Sequence, residues 1–114
     1  MKVRIIVNLE IEGIHAWKGC EIQEVFYLKD CHRHIFHITC KKEVYDTDRE
    51  IEIIKFKHKI KDYLQSKYES EVSNLCDFDE MSCEMIAEEL VKTFELCYCS
   101  VLEDGENGAE IVND

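Results

Sequence analysis

Residues 31–44 read Cys-His-Arg-His-Ile-Phe-His-Ile-Thr-Cys-Lys-Lys-Glu-Val. His32, His34, Phe36, Ile38 and Cys40 share one parity, and Arg33, His37, Thr39 and Lys41 share the other. Residues two apart on a strand project from the same face, so this stretch predicts a strand whose apolar face begins in two imidazoles. Upstream, residues 2–14 alternate as well. Val3, Ile5, Val7, Leu9 and Ile11 oppose Arg4, Asn8, Glu10 and Glu12, which predicts a second strand with one buried face. Gly13 then suggests a bend or bulge, and His15 ends the segment. Consecutive strands are usually neighbours, so His15 can meet His32 and His34.

Downstream of the turn Asp46-Thr47-Asp48-Arg49 the period changes. Phe56, Ile60, Tyr63 and Leu64 define one face of a helix that ends near Tyr68. Residues 69–80 are acidic and aperiodic and read as a connection. Ser82 is a good N-cap for a second helix, with Glu84 in its first turn and Met85, Ile86, Leu90 and Phe94 as its apolar stripe. Cys97, Cys99 and Val101 alternate over 97–103. Gly105 and Gly108 bracket a turn, and residues 109–112 return as a last strand. Residues 16–28 read as a long loop or hairpin arm. The order β-β-α-α-β-β predicts one α+β domain over 1–114, with a four-stranded antiparallel sheet and two helices on one face.

The 114 residues carry 14 Lys or Arg against 25 Asp or Glu, a formal net charge of −11. Such a chain repels phosphate backbones, and no basic stripe with interleaved aromatics occurs, so nucleic acid is excluded as a general partner. No apolar run is long enough to span a membrane, and the first ten residues do not form a signal peptide. The expected compartment is the cytoplasm, where the seven cysteines would be reduced thiols, several of them small core residues. Cys97-x-Cys99 is a poor zinc signature without a second pair, and the acidic residues between Glu69 and Glu80 read as a solvated surface.

Three converging histidines with a water form the open, catalytic kind of Zn²⁺ site. The alternative is that His32 and His34 are ordinary polar residues at the start of a strand. His37 and His58 fall on other faces and join neither reading.

In order along the chain, these motifs resemble the family of 6-pyruvoyltetrahydropterin and 6-carboxytetrahydropterin synthases. In that family a strand ends in a His, and the next carries His-Gly-His; here these are His15 and His32-Arg33-His34. The family's Val-x-Asp-Phe-x-x-Leu-Lys is similar to Ile53-Ile54-Lys55-Phe56-Lys57-His58-Lys59-Ile60-Lys61, and its Pro-Thr-Ser-Glu-Asn-x-Ala to Met81-Ser82-Cys83-Glu84-Met85-Ile86-Ala87. Its Val-x-Val-x-Glu-Thr resembles Cys99-Ser100-Val101-Leu102-Glu103-Asp104.

The resemblance implies the tunnelling fold and homo-oligomers, trimers or hexamers, whose sheets join edge to edge. It implies Zn²⁺ on His15, His32 and His34, Glu103 accepting hydrogen bonds from a pterin ring, and Ser82 helping to hold it. The activity implied is that of a carbon–oxygen lyase acting on dihydroneopterin triphosphate, by triphosphate elimination followed by side-chain rearrangement or cleavage. A catalytic thiol would come from Cys31 or Cys20, although neither has the family's spacing from the His-x-His pair. Arg33 and Lys55 replace a Gly and an Asp, and the family's Leu-Asp-His-x-x-Leu-Asn has no counterpart in residues 68–75. The missing Asp-His dyad leaves a second function open, a protein that binds a pterin or purine-like ligand without converting it. A third is an acidic protein that occupies a basic partner's surface.

Overall fold

A computed structural model describes residues 1–114. The chain runs β1 (Val3–His15), a 3₁₀ helix (Gln23–Lys29), β2 (His32–Val44), α1 (Ile53–Lys67), β3 (Cys76–Asp77), α2 (Cys83–Phe94), β4 (Tyr98–Glu103) and β5 (Asn107–Val112). The sheet has five strands in the order β3-β1-β2-β4-β5. The α+β class and its two long helices match the sequence reading.

The four-stranded antiparallel sheet does not, because β3 joins β1 in parallel through Gly13 and Ile14. A two-residue strand leaves no alternating pattern to read. Its buried Cys76 and the neighbouring buried Phe78 stood inside the segment read as an acidic connection. The 3₁₀ helix likewise replaces part of the expected loop at 16–28.

β1 and β2 pair along their full length, from Val3 opposite Val44 to His15 opposite His32. Gly13 therefore sits within a continuous strand and makes no bend. It is glycine for space, since a Cβ there would lie 2.7 Å from Phe78 and 3.0 Å from Phe36. Gly108 also lies in a strand, where an added Cβ would strike the Val101 carbonyl oxygen. Gly105, at φ +74°, supplies the turn between β4 and β5.

One sheet face carries Val7, Leu9, Ile11, Phe36, Ile38, Cys40, Cys99 and Val101 into a core completed by Phe56, Ile60 and Leu64 of α1 and Ile86, Ala87, Leu90 and Phe94 of α2. Burying a large apolar side chain is worth about 1.5–3 kcal/mol, so this face holds the helices on the sheet. Met85 departs from the stripe expected of it and is exposed, whereas Cys83 and Val91 are buried. Ser82 caps α2 by accepting a hydrogen bond from the Met85 N–H at 3.2 Å. No helix is long and apolar enough to cross a membrane.

Candidate metal centre

The antiparallel register places His15 opposite His32 and Gly13 opposite His34, while Phe36 faces Glu103 across β2 and β4. All four polar side chains thus continue the apolar face beyond Phe36, at the end of the sheet where β1 stops, β2 starts and β4 stops. Phe36 packs against the rings of both His15 and His34, with centroids 5.2 and 5.7 Å away. The three imidazoles stand edge to face at centroid separations of 4.6, 4.9 and 5.3 Å. One donor atom from each of His15, His32, His34 and Glu103 lies within 4.8 Å of all the others.

Each ring is fixed from behind. His15 Nδ1 is 2.8 Å from the Met81 carbonyl oxygen, and His32 Nδ1 is 2.8 Å from that of Asp30. His34 Nδ1 is 2.8 Å from Asp104 Oδ2. All three partners accept and none can donate, so every Nδ1 carries the hydrogen and every Nε2 of a neutral ring presents a lone pair. The Nε2 atoms of His15 and His34 are buried and have no hydrogen-bond partner. Buried nitrogens without partners are costly, and a cation is the group that satisfies several lone pairs at once. Imidazoles anchored through Nδ1 to carbonyl or carboxylate oxygens are the usual outer arrangement of a metal site. The donor set therefore fits a metal ion.

Local structure explains the anchors. The Phe78 N–H donates to the Ile14 carbonyl at 2.9 Å and the Ala16 N–H to that of Asp79 at 2.8 Å, which ties the segment before α2 to the end of β1. Those bonds carry the Met81 carbonyl to His15. Asp104 adopts φ 55° just after β4, and its Oδ1 accepts the Ile35 N–H at 2.9 Å. The hydrogen bond from His34, and after it that from Ile35, holds the Asp104 carboxyl below its ordinary range.

A cleft of about 440 Å³ opens over the cluster, lined by His15, His32 and Glu103 together with Trp17, Leu28, Ser82, Cys83, Met85 and Asn107. Ser82 is thus at the cleft, but its hydroxyl already caps α2. Glu103 turns a carboxylate oxygen toward His15 Nε2 at 2.9 Å and His34 Nε2 at 3.6 Å, so it belongs to the histidine cluster as well as to the cleft.

Neither Cys20 nor Cys31 lines the cleft. Cys20 is buried with its thiol directed at the Val25 carbonyl, 3.7 Å away, and Cys31 is exposed just before β2. The thiol that does line the cleft is Cys83, whose pKa burial, and then the Glu103 and Glu84 carboxylates, push up to about 12. Sequence reasoning assigned no role to Cys83, Asp104 or Asp30. An Asp preceding Gly at a strand end was the available signal for Asp104. His37 and His58 stay apart from the cluster, as expected from their faces. Cys97 and Cys99 form no metal group: Cys99 packs against Cys40, with sulfurs 4.0 Å apart.

Fold and site together define an α+β protein with a His/Glu cluster able to hold a metal ion. No protein-family model matches the chain, and no curated protein matches it. Among solved structures it is similar to the crystal structure of an uncharacterized protein from Wolinella succinogenes, with a TM-score of 0.60 and 12% identity over 100% of this chain and 99% of that one. That likeness shows a shared fold and says nothing of chemistry.

Proposed function

We propose that the chain is a zinc-centred protein of the pterin-synthase type, which takes a pterin or a related bicyclic heterocycle into the cleft above His15, His32 and His34. One observation carries this reading: three imidazoles anchored through Nδ1 bring one donor atom each within 4.8 Å of one another and of Glu103. Bound zinc would supply Lewis acidity to an oxygen of the ligand's side chain.

The remaining roles fall to the chain. Trp17, Leu28 and Met85 give a flat ring apolar walls, and Ser82 and Asn107 add polar groups at its edge. For the lyase reaction on dihydroneopterin triphosphate, a residue must also accept a proton. Cys83 does not suit that role, because burial, and then the Glu103 and Glu84 carboxylates, raise the pKa of its thiol and favour the protonated form. Glu80 and Glu84 are the other carboxylates at the cleft besides Glu103.

Binding without conversion is the second reading, and two observations favour it. Cys20 and Cys31 lie off the cleft, and none of its 14 lining residues is Lys or Arg, the side chains that would meet a triphosphate. A homo-oligomer could bring such cations from a neighbouring subunit. Strands free to join a neighbour exist at both margins, since β1 has no strand beside Val3–Glu12 on its outer side and β5 pairs only with β4.

The test incubates zinc-loaded protein with dihydroneopterin and with its triphosphate, following ligand fluorescence and triphosphate release. Release that disappears in His32→Ala/His34→Ala supports the lyase. Saturable binding with no release supports the second reading, and binding of neither compound contradicts both.

A further inference from the structure

We infer that Glu103 is itself the fourth ligand of the metal, so that the resting centre is a closed His₃Glu set and a bound small molecule must displace this carboxylate. The inference rests on the metal-centre reading above and deepens it. Glu103 Oε2 lies 2.9 Å from His15 Nε2 and 3.6 Å from His34 Nε2. Two donors bound tetrahedrally to one zinc at about 2.0–2.1 Å stand about 3.3 Å apart, and the two observed separations bracket that value. A direct hydrogen bond from the neutral ring does not account for the approach. His15 Nε2 belongs to a side chain only 9% exposed and makes no hydrogen bond despite the nearby oxygen, because its hydrogen sits on Nδ1 facing Met81. With the ring neutral, lone pair faces lone pair there, an arrangement that repels unless a cation, a metal ion or a proton on Nε2, lies between.

The strand pairing supports the same role. Glu103 is directly opposite Phe36, two residues from His34, and is held on the core face of β4 with Cys99 and Val101. It reaches the histidine cluster from a rigid strand. It is the oxygen donor of the set, lines the cleft and is 30% exposed, against 9% for His15 and 17% for His34, which suits it to exchange. A ligand that displaces it brings a donor atom of its own to the metal. While Glu103 holds the metal, the same carboxylate oxygen does not accept hydrogen bonds from a ring, so metal ligation and ring anchoring belong to different states.

Cobalt(II) is the probe, because its visible absorption is intense in four-coordinate sites and weak in six-coordinate ones. Full-length protein, Glu103→Gln and Glu103→Ala would be titrated with cobalt(II), and zinc affinity would be measured by competition with a chelator. Circular dichroism would confirm that each variant is folded. The expected result is an intense four-coordinate spectrum for the wild type, with bands shifted in both variants as water takes the place of the carboxylate, and zinc affinity lower by about 100-fold or more in both, at or beyond the upper end of the loss caused by removing an outer partner. Spectra and affinities unchanged in both variants, but lost in His32→Ala/His34→Ala, would overturn the role of Glu103 and leave the His₃ centre standing. A wild type that binds neither metal would overturn the centre and this inference with it.

Discussion

Asp104 joins two roles in one carboxylate: its Oδ2 lies 2.8 Å from His34 Nδ1, and its Oδ1 accepts the Ile35 N–H at 2.9 Å. The two bonds lock the His34 ring to the strand beside it and set its tautomer. A carboxylate behind a metal-bound imidazole orients the ring and raises its basicity. Asp104→Asn keeps a residue that tolerates the left-handed φ of 55° but weakens this support. We expect zinc affinity to fall by about 10–100-fold with the fold intact, measured by chelator competition and circular dichroism. Unchanged affinity would show that His34 is oriented by other means.

Gly13 makes a separate prediction about packing. A methyl group at this position meets the Phe78 ring at 2.7 Å and the Phe36 ring at 3.0 Å, both in the buried core. Gly13→Ala should destabilise the protein by about 1–3 kcal/mol in denaturant titration. Stability equal to wild type would mean that the two rings can shift without loss.

Glu89 of α2 sets a pH dependence far from the centre. It accepts hydrogen bonds from Lys67 and Tyr63 of α1, and these partners, Lys67 first, hold its carboxyl below the ordinary value of 4.5. A carboxyl depressed in the folded state adds stability that is present above its unfolded value and lost as pH falls through its folded value. Glu89→Gln should therefore be less stable than wild type near neutral pH. The gap should close on acidification below about 4.5, as thermal unfolding at a series of pH values would show. A gap independent of pH would place the effect elsewhere.

Much of the fold was legible because its main elements obey simple periods. The alternation in β1 and β2 and the helical spacing of Phe56, Ile60 and Leu64 each report a buried face directly. The same parity rule puts His32 and His34 on one face, and the adjacency of consecutive strands brings His15 beside them. What escaped lacked a period. β3 is two residues long, and Gly13 signalled a bend although it serves a close approach between strand and aromatic rings. Glu103 entered only through the family resemblance, as a ring-binding carboxylate, and its proximity to the histidines depends on the Phe36–Glu103 pairing across β2 and β4. The anchors at Met81 and Asp30 are backbone carbonyls, which no side-chain motif can announce.

The central claim is that three imidazoles at one end of the sheet hold a metal. Elemental analysis of purified protein, wild type beside His32→Ala/His34→Ala, with oligomer mass measured in parallel, tests it most directly. About one zinc per chain is expected in the wild type and none in the double variant, with both folded. A wild type that stays free of metal after incubation with zinc, at a pH where the imidazoles are neutral, would contradict it.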